Sequence, residues 1–187
     1  MELTSYFILG AFLILLTVFI IQIIGLRSAK SDFMGRASIV KIHFYCGKTA
    51  LFTPWFFFII KALKPNIGYV EPPVYLEWTS IVLLYIGVAG MALGLFALGL
   101  SLKIGLPVEN SVLKTSGIYR LSRNPLYTSA IIIDIASCLY FPDLINITFT
   151  LYGIIVHHQI ILGEEKYLKS HFGNDYDNYR EKVRRYI

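Results

Sequence analysis

The sequence predicts an all-α integral membrane protein with five transmembrane helices, and three observations carry that prediction. Of the 187 residues, 56% are hydrophobic and only 16% are charged, whereas charged residues make up roughly a quarter of an ordinary globular chain. Apolar runs of about 20 residues, the length that crosses a bilayer, recur along most of the chain. Lys and Arg gather in alternate connecting segments, as they do on the cytoplasmic side of membrane proteins.

The first two predicted spans occupy residues 3–26 and 46–63. The first is long enough to cross a bilayer, and no small-residue cleavage pattern follows it, so we expect it to remain as a helix. The second contains Pro54, which predicts a kink. It also carries a block of aromatic residues, which are typical anchors at the membrane interface.

The remaining spans come from two longer apolar stretches. The third span, residues 76–102, contains glycines that allow neighbouring helices to approach closely; they are Gly87, Gly90, Gly94 and Gly99. The last stretch, residues 126–162, is too long for one helix and is interrupted near its middle by Phe-Pro-Asp at residues 141–143. We therefore expect two short helices joined by a tight turn.

Charge distribution predicts the orientation. Fifteen of the seventeen Lys and Arg fall in three segments: the first loop, the third loop and the C-terminal tail. Lys48 is counted with the first loop. Only Lys61 and Lys64 fall on the other side. We therefore expect the N-terminus outside and the C-terminus in the cytoplasm. The net charge of +5 is explained by this topology. We expect no nucleic-acid partner, which would need a basic face on a soluble module.

The polar motifs lie in the second half of the chain, so we divide it into two regions. Residues 1–102 form three N-terminal transmembrane helices, and residues 103–187 form a cytoplasmic loop, a helical hairpin and a cytoplasmic tail. In the tail, Gly173 predicts the end of a helix. A short amphipathic helix on the membrane surface is expected next, since apolar or aromatic residues then follow helical spacing: Tyr176, Tyr179, Val183 and Tyr186.

A first candidate site surrounds the start of the fourth span. Asn124 is suited to cap a helix that begins with Pro125 at its first position. The free N–H groups of that helix, with Arg120 and Arg123 nearby, would attract a carboxylate or a phosphate. The alternative is a capped helix flanked by lipid-facing arginines.

A second candidate site lies near the end of the fifth span. Glu164 and Glu165 follow His157 and His158 by seven residues, which places each acid on the stripe of one histidine. Ionisable residues near a membrane interior usually face the bundle or a wet cavity, and acids in a last turn oppose the helix dipole. We expect these stripes to line a pocket. Adjacent histidines point in different directions and lack a suitably spaced third ligand, so we expect no metal.

Asp134 is the only acid placed well inside a predicted span, and it lies seven residues after Tyr127, on the same stripe. An intramembrane carboxylate is a functional candidate, here for contact with a substrate. The alternative is a structural acid, hydrogen-bonded to Ser137 or to a neighbouring helix.

Three motifs can be read together: Gly-Ile-Tyr-Arg-Leu-Ser-Arg-Asn-Pro-Leu-Tyr at residues 117–127, Glu164-Glu165 three residues before Leu168, and Phe172-Gly173 followed by Tyr176, Tyr179 and Val183. As an ordered set they resemble the isoprenylcysteine carboxyl methyltransferase family and its phospholipid methyltransferase relatives. The resemblance covers about the last 85 residues. It implies an integral membrane enzyme that takes a methyl group from S-adenosylmethionine, with the cofactor bound by residues 103–187.

The resemblance also implies individual cofactor-binding residues. The segment that contacts the cofactor largely through its main chain is matched here by Ser111, Val112, Leu113 and Lys114, and the loop tyrosine by Tyr119. The Arg-His-Pro-X-Tyr box is matched by Asn124, Pro125, Leu126 and Tyr127, and the cofactor-binding acid by Glu164, with Glu165 beside it.

Two departures from the family pattern concern the reaction. Asn124 replaces the histidine of the box, so we expect no general base there. Ile160 stands where the eukaryotic isoprenylcysteine enzymes have an arginine that holds the substrate carboxylate. The nearest polar replacements for that arginine are His157, His158 and Gln159. The expected substrate contacts are Arg123, Asp134 and Gln159. If the acceptor needs a base, His157 or His158 would supply it.

The favoured function is methylation of an apolar or lipid-like acceptor, of the isoprenylcysteine carboxylate type. The alternatives are N-methylation of a phospholipid or another lipid amine, a sterol-reductase-like reaction with NADPH, and a non-catalytic membrane scaffold. The expected partners are the bilayer and a hydrophobic substrate. The small size and the missing arginine favour a prokaryotic inner membrane, with the active site on its cytoplasmic side.

Overall fold

The computed structural model describes residues 2–29, 35, 37–64, 66–68, 70–102, 105–106 and 112–187. The elements formed by these residues are helical. They are α1 (Leu3–Ser28), α2 (Lys41–Leu63), α3 (Val74–Leu98), α4 (Pro125–Tyr140), α5 (Leu144–Phe172) and α6 (Asn174–Lys182), with short 3₁₀ turns at Gly99–Ser101 and Gly117–Arg120.

Four of the described helices are long and apolar enough to cross a membrane: α1, α2, α3 with its following 3₁₀ turn, and α5. Helix α4 is also apolar, but its 16 residues fall short of the ~20 that cross a bilayer without tilt or thinning. The all-helical membrane architecture is therefore confirmed, with four described helices of spanning length where the sequence predicts five spans.

Helices α4 and α5 meet at the predicted break. Asp143 caps α5, because its carboxylate accepts a 2.9 Å hydrogen bond from the Ile145 N–H. Helix α5 continues ten residues past the predicted end and stops at Gly173, whose φ is +53°. Glu164 and Glu165 consequently lie about two turns before the helix end, and their prediction as last-turn acids is wrong. Hydropathy marks where apolar residues end, whereas the helix itself continues through polar residues.

The contact between α3 and α4 depends on small residues of α3. A Cβ atom placed on Gly87 would lie 2.5 Å from Ile133 Cγ1 and 3.0 Å from the Ser129 carbonyl oxygen, and one on Gly94 would lie 2.6 Å from Leu126 Cδ2. These glycines let the two backbones approach. Gly99 differs, since it ends α3 with a φ of +51° and its Cβ position is open.

Replacing Gly87 by alanine is expected to lower the melting temperature of the purified protein in detergent. The new methyl group meets a branched side chain and a backbone oxygen, and overpacking of this kind costs about 1–3 kcal/mol. Gly25→Ala is the matched control, because this helical glycine of α1 has no neighbouring atom within 4 Å of its Cβ position. Equal melting temperatures for the two variants would contradict the role assigned to the α3–α4 contact.

Candidate functional site

A cavity of about 760 Å³ lies among α2, α3, α4, α5 and α6. On one side its wall is apolar and comes from α2 and α3, with residues such as Leu51, Trp55 and Leu95. On the other side it is polar and comes from the loop before α4, from α5 and from α6. The volume is within the ~300–1,000 Å³ range of small-molecule sites.

Most of the residues that the sequence singled out line this one cavity. They are Val112, Leu113, Lys114, Tyr119, Arg123, Asn124, Pro125, Leu126, Tyr127, Glu164 and Glu165. Ser111 lies outside the described residues. Segments up to 53 positions apart in the chain therefore share one wall.

Glu165 is the centre of a buried ionic cluster. Its Oε1 accepts hydrogen bonds of 3.2 and 2.9 Å from Nε and Nη2 of Arg123, and its Oε2 accepts bonds of 3.1 and 2.9 Å from Nε and Nη2 of Arg185. The Arg123 and Glu165 side chains are only 8% and 10% exposed. Hydrogen bonds to Glu165 raise the pKa of Arg185. Glu165 thus joins α5 to the loop before α4 and to the C-terminal tail.

The tail is held on that loop by backbone groups as well. Arg123 Nη1 donates to the Val183 carbonyl oxygen at 2.6 Å, and the Arg123 N–H donates to the Arg184 oxygen at 2.9 Å. The Arg185 oxygen accepts from Ser122 Oγ at 3.1 Å. Helix α6 ends at Lys182, and Val183 has an extended backbone conformation. Val183 therefore lies beyond α6, outside the predicted helical spacing.

Asn124 occupies the N-cap position of α4, and Pro125 is the first helical residue, as predicted. The Asn124 side chain, however, does not cap the helix. The amide nitrogen donates instead to Glu165 Oε1 at 3.3 Å and to the Arg185 oxygen at 3.2 Å. A carboxylate and a carbonyl oxygen offer this donor two partners, so the side chain turns toward the tail.

Glu164 has a different environment from its neighbour. It is half-buried, and its Oε1 accepts a 2.9 Å hydrogen bond from the Tyr127 hydroxyl. That hydroxyl in turn accepts a 3.1 Å bond from Lys48 Nζ. The second oxygen of Glu164 has no hydrogen bond with any residue that the structure describes, so Glu164 retains an acceptor beside the cavity.

Two tyrosines from the tail complete the polar wall. Tyr176 and Tyr179 of α6 are buried and line the cavity, and the Tyr179 hydroxyl donates to the Tyr119 carbonyl oxygen at 2.7 Å. Burial raises the pKa of Tyr179 to about 12 and also raises the pKa of Tyr119. Both phenols therefore remain neutral hydrogen-bonding groups at physiological pH.

The two histidines contact different parts of the protein, and neither lines the cavity. His157 is fully buried, with its ring centroid 5.4 Å from that of Tyr127; its Nδ1 lies 2.8 Å from the Gly153 oxygen, and its Nε2 has no partner among the described groups. His158, Gln159 and Tyr186 line a separate apolar cleft between α4 and α5. His158 Nδ1 lies 2.8 Å from the Tyr186 hydroxyl.

Asp134 and Ile160 are also fully buried away from the cavity wall. Asp134 Oδ1 accepts a 2.8 Å hydrogen bond from Trp55 Nε1 of α2, whereas Oδ2 has no partner within the described part of the chain. Ile160 packs with Phe44 and Val156 between α2 and α5. No group of three or more possible metal ligands is found among the described residues.

The sequence reasoning missed the contribution of α2. Lys48 was assigned to the first loop, but α2 begins at Lys41, so Lys48 is a helical residue at the cavity wall. The signal was present, because Lys48 lies three, four and seven residues before Leu51, Phe52 and Trp55, on the stripe that shares one helix face.

Comparison with known proteins identifies the family to which this chain belongs. The sequence model of the phospholipid methyltransferase family matches residues 78–175, which extend from α3 into α6 and include Tyr119, the residues at the start of α4 and both glutamates. No curated protein matches the chain. Because the match covers more than half of the 187 residues, the chain belongs to the phospholipid methyltransferase family, a family of isoprenylcysteine and phospholipid methyltransferases, and is a multi-pass membrane protein.

Proposed function

We propose that the protein is an S-adenosylmethionine-dependent methyltransferase that methylates an apolar acceptor taken from the bilayer. The observation that carries this proposal is the meeting of the loop before α4, the start of α4, α5 and the tail around one cavity with a polar and an apolar wall. A polar cofactor and a lipid-like acceptor would each find a matching surface there.

The charged groups of the cavity lining fit the proposed cofactor, which carries a carboxylate, an ammonium and a sulfonium group. Glu164 has an unused carboxylate oxygen for a cationic group, and Lys114 supplies a positive charge on the same wall. Tyr119 adds a neutral surface beside them. Arg123 and Arg185 both bind Glu165 and hold the tail, so the contribution of this cluster is to shape the pocket.

When bound, S-adenosylmethionine supplies a methyl group activated by the sulfonium. The protein's residues then act by alignment and by exclusion of water, and effects of this kind reach ~7–11 kcal/mol in favourable intramolecular cases. Leu51, Trp55 and Leu95 form the water-excluding wall. An in-line displacement at a methyl group needs no nucleophile from the protein.

The first candidate for the acceptor is a carboxylate of the isoprenylcysteine type. A carboxylate attacks without losing a proton, and this agrees with a described cavity lining that contains no histidine. N-methylation of a phospholipid or another lipid amine is the second candidate, and the family includes enzymes of both kinds. It would require a base, and the candidate is His157, whose Nε2 has no partner among the described groups and whose ring lies 5.4 Å from that of the cavity residue Tyr127.

Five spans, an outside N-terminus and a cytoplasmic C-terminus belong to the same proposal. They are supported by the Lys and Arg distribution. Tilt or local thinning of the bilayer would let the 16-residue α4 act as the short fourth span. Residues 103–187 would hold the cofactor, and α6 would cover the polar wall from the cytoplasmic surface of a prokaryotic inner membrane.

The test is methyl transfer in membranes that contain the protein. We expect the label of methyl-labelled S-adenosylmethionine to enter an apolar product and to be released by mild base, as a methyl ester would be. Label that resists base and remains in a lipid headgroup would select the amine reaction. Absence of S-adenosylmethionine binding in calorimetry would refute the proposed methyltransferase function. Preferential NADPH binding would support the sterol-reductase-like alternative.

A further inference from the structure

Lys48 is the one charged residue that α1, α2 and α3 contribute to the cavity lining among the described residues. The residues around it on α2 that also line the cavity are apolar or aromatic: Phe44, Tyr45, Leu51, Phe52 and Trp55. Lys48 therefore marks the point where the apolar wall meets the polar one. An amphipathic molecule that followed α2 would bring its head group to this position.

The Lys48 ammonium is incompletely satisfied. It donates one hydrogen bond, to the Tyr127 hydroxyl at 3.1 Å, and its Nζ lies 4.6 Å from the Tyr127 ring centroid and 5.3 Å from that of Phe44. It forms no ion pair with a carboxylate of the described residues. An ammonium has three N–H donors, so two of them have no hydrogen-bond acceptor in the described part of the chain.

Glu164 interacts electrostatically with Lys48 across the Tyr127 hydroxyl but forms no direct ion pair with it. A half-buried cation without a direct ion pair is costly near a membrane interior. The other cations nearby are differently placed. Arg123 and Arg185 are both bound to Glu165, and Lys114 lies in the loop on the polar wall. Lys48 is thus the cation of the described lining that stands beside the apolar surface with donors to spare.

We propose that the Lys48 ammonium binds an anionic oxygen, of a carboxylate or a phosphate, in the head group of the methyl acceptor. The apolar part of the acceptor lies along Leu51, Phe52 and Trp55. Tyr127 connects Lys48 to Glu164 through its hydroxyl, so the acceptor's head group is held next to the residue proposed for the cofactor. This inference rests on the proposed function and adds a specificity residue from α2, outside the matched residues 78–175.

The experiment measures binding to the purified full chain in detergent, without turnover. The probes are S-farnesylcysteine with a free carboxylate and a blocked amine, its uncharged carboxamide, and farnesyl phosphate. We expect the unaltered protein to bind at least one anionic probe more tightly than the carboxamide. The preferred anion, carboxylate or phosphate, then identifies the head group.

Lys48→Met is expected to weaken binding of the preferred anionic probe about ten- to hundredfold, the loss typical of one hydrogen bond to a charged group. Its affinity for the carboxamide should stay within about twofold of the unaltered protein, since this probe has no anionic oxygen to pair with Lys48. Its affinity for S-adenosylmethionine should fall less than its affinity for the anionic probe, because Lys48 reaches Glu164 only through the Tyr127 hydroxyl. Lys48→Arg should restore most of the anion preference. Lys41→Met is the matched control, because Lys41 is an exposed residue of the same helix outside the cavity lining.

Three results would overturn the assignment. The first is an equal loss of affinity for the anionic and uncharged probes. The second is a loss of S-adenosylmethionine affinity as large as the loss for the anionic probe, which would assign Lys48 to the cofactor. The third is an unaltered protein without anion preference. A protein that binds S-adenosylmethionine normally but shows no anion preference refutes only the role of Lys48. A protein that binds no S-adenosylmethionine refutes the proposed function itself.

Discussion

Glu164→Gln is expected to weaken S-adenosylmethionine binding about ten- to hundredfold. The glutamine keeps the size of the side chain and an acceptor for the Tyr127 hydroxyl, which lies 2.9 Å from Glu164 Oε1, but it removes the negative charge. A hydrogen bond to a charged group contributes about 1.5–3 kcal/mol, which corresponds to that range of affinity. Calorimetric titration of the purified protein with S-adenosylmethionine measures the change.

The stability of this variant separates binding from folding. Glu164 is half-buried and has no ion pair within 4 Å in the described structure, so the melting temperature without ligand should stay close to that of the unaltered protein. Glu181→Gln removes an exposed acid of α6 and should leave both quantities unchanged. If Glu164→Gln bound S-adenosylmethionine with unaltered affinity, Glu164 would have no place in the cofactor site.

Glu165→Ala is expected to release the C-terminal tail and to lower the stability of the protein. The substitution leaves Arg123 buried without its carboxylate, and removing one partner of a buried ion pair costs about 3–5 kcal/mol. For a chain of this size, a loss of that order lowers the melting temperature by about 6–20 °C. Cofactor binding should fail as well, because Tyr176 and Tyr179 would leave the cavity wall with the tail.

Limited digestion with trypsin reports on the tail directly. In the folded protein the backbone of residues 183–185 is bonded to Arg123, Ser122 and Asn124, so cleavage after Lys182 or Arg184 should be slow. Glu165→Ala should be cut there rapidly, as mass spectrometry of the intact chain would reveal, and Glu181→Ala should not. A protected tail in Glu165→Ala would show that the ionic cluster does not hold it.

These two substitutions concern adjacent residues, and only that of Glu165 is expected to lower the stability of the protein. Consecutive positions on a helix are rotated by about 100°, so Glu165 faces Arg123 and the tail while Glu164 faces Tyr127. The sequence presents the pair as one motif. Its two members differ only because the surrounding helices place two arginines beside one acid and a tyrosine hydroxyl beside the other.

Much of the architecture was predictable from local properties. Apolar run lengths marked α1, α2 and α3, and the Phe-Pro-Asp break at residues 141–143 marked the turn between α4 and α5. Gly173 marked the end of α5. The ordered motifs also led to the family that the comparison then confirmed. Each of these signals is carried by neighbouring residues, and the bilayer thickness or a backbone preference gives it a physical meaning.

Other properties depended on contacts between distant segments. The Asn124 side chain bonds to Glu165 and the tail instead of capping the helix, and the tail from Val183 onward bonds to the loop before α4. Lys48 became a cavity residue because α2 packs beside α4 and α5. Glu165 and Arg123 are separated by 42 positions in the chain, and no local pattern records such a distance.

The division between the two kinds of information has a simple physical basis. Helix formation and membrane insertion follow from the solvent preference of each stretch of residues, so the amino-acid sequence was sufficient for the helices and the candidate motifs. The start of α2 and the end of α5 differ from the limits of the apolar runs. The direction of each polar side chain follows from which charges and hydrogen-bond partners surround it after the helices pack. The packing of the helices places Glu165 of α5 against the tail. It also leaves Glu164 beside the cavity and brings Lys48 to the cavity wall.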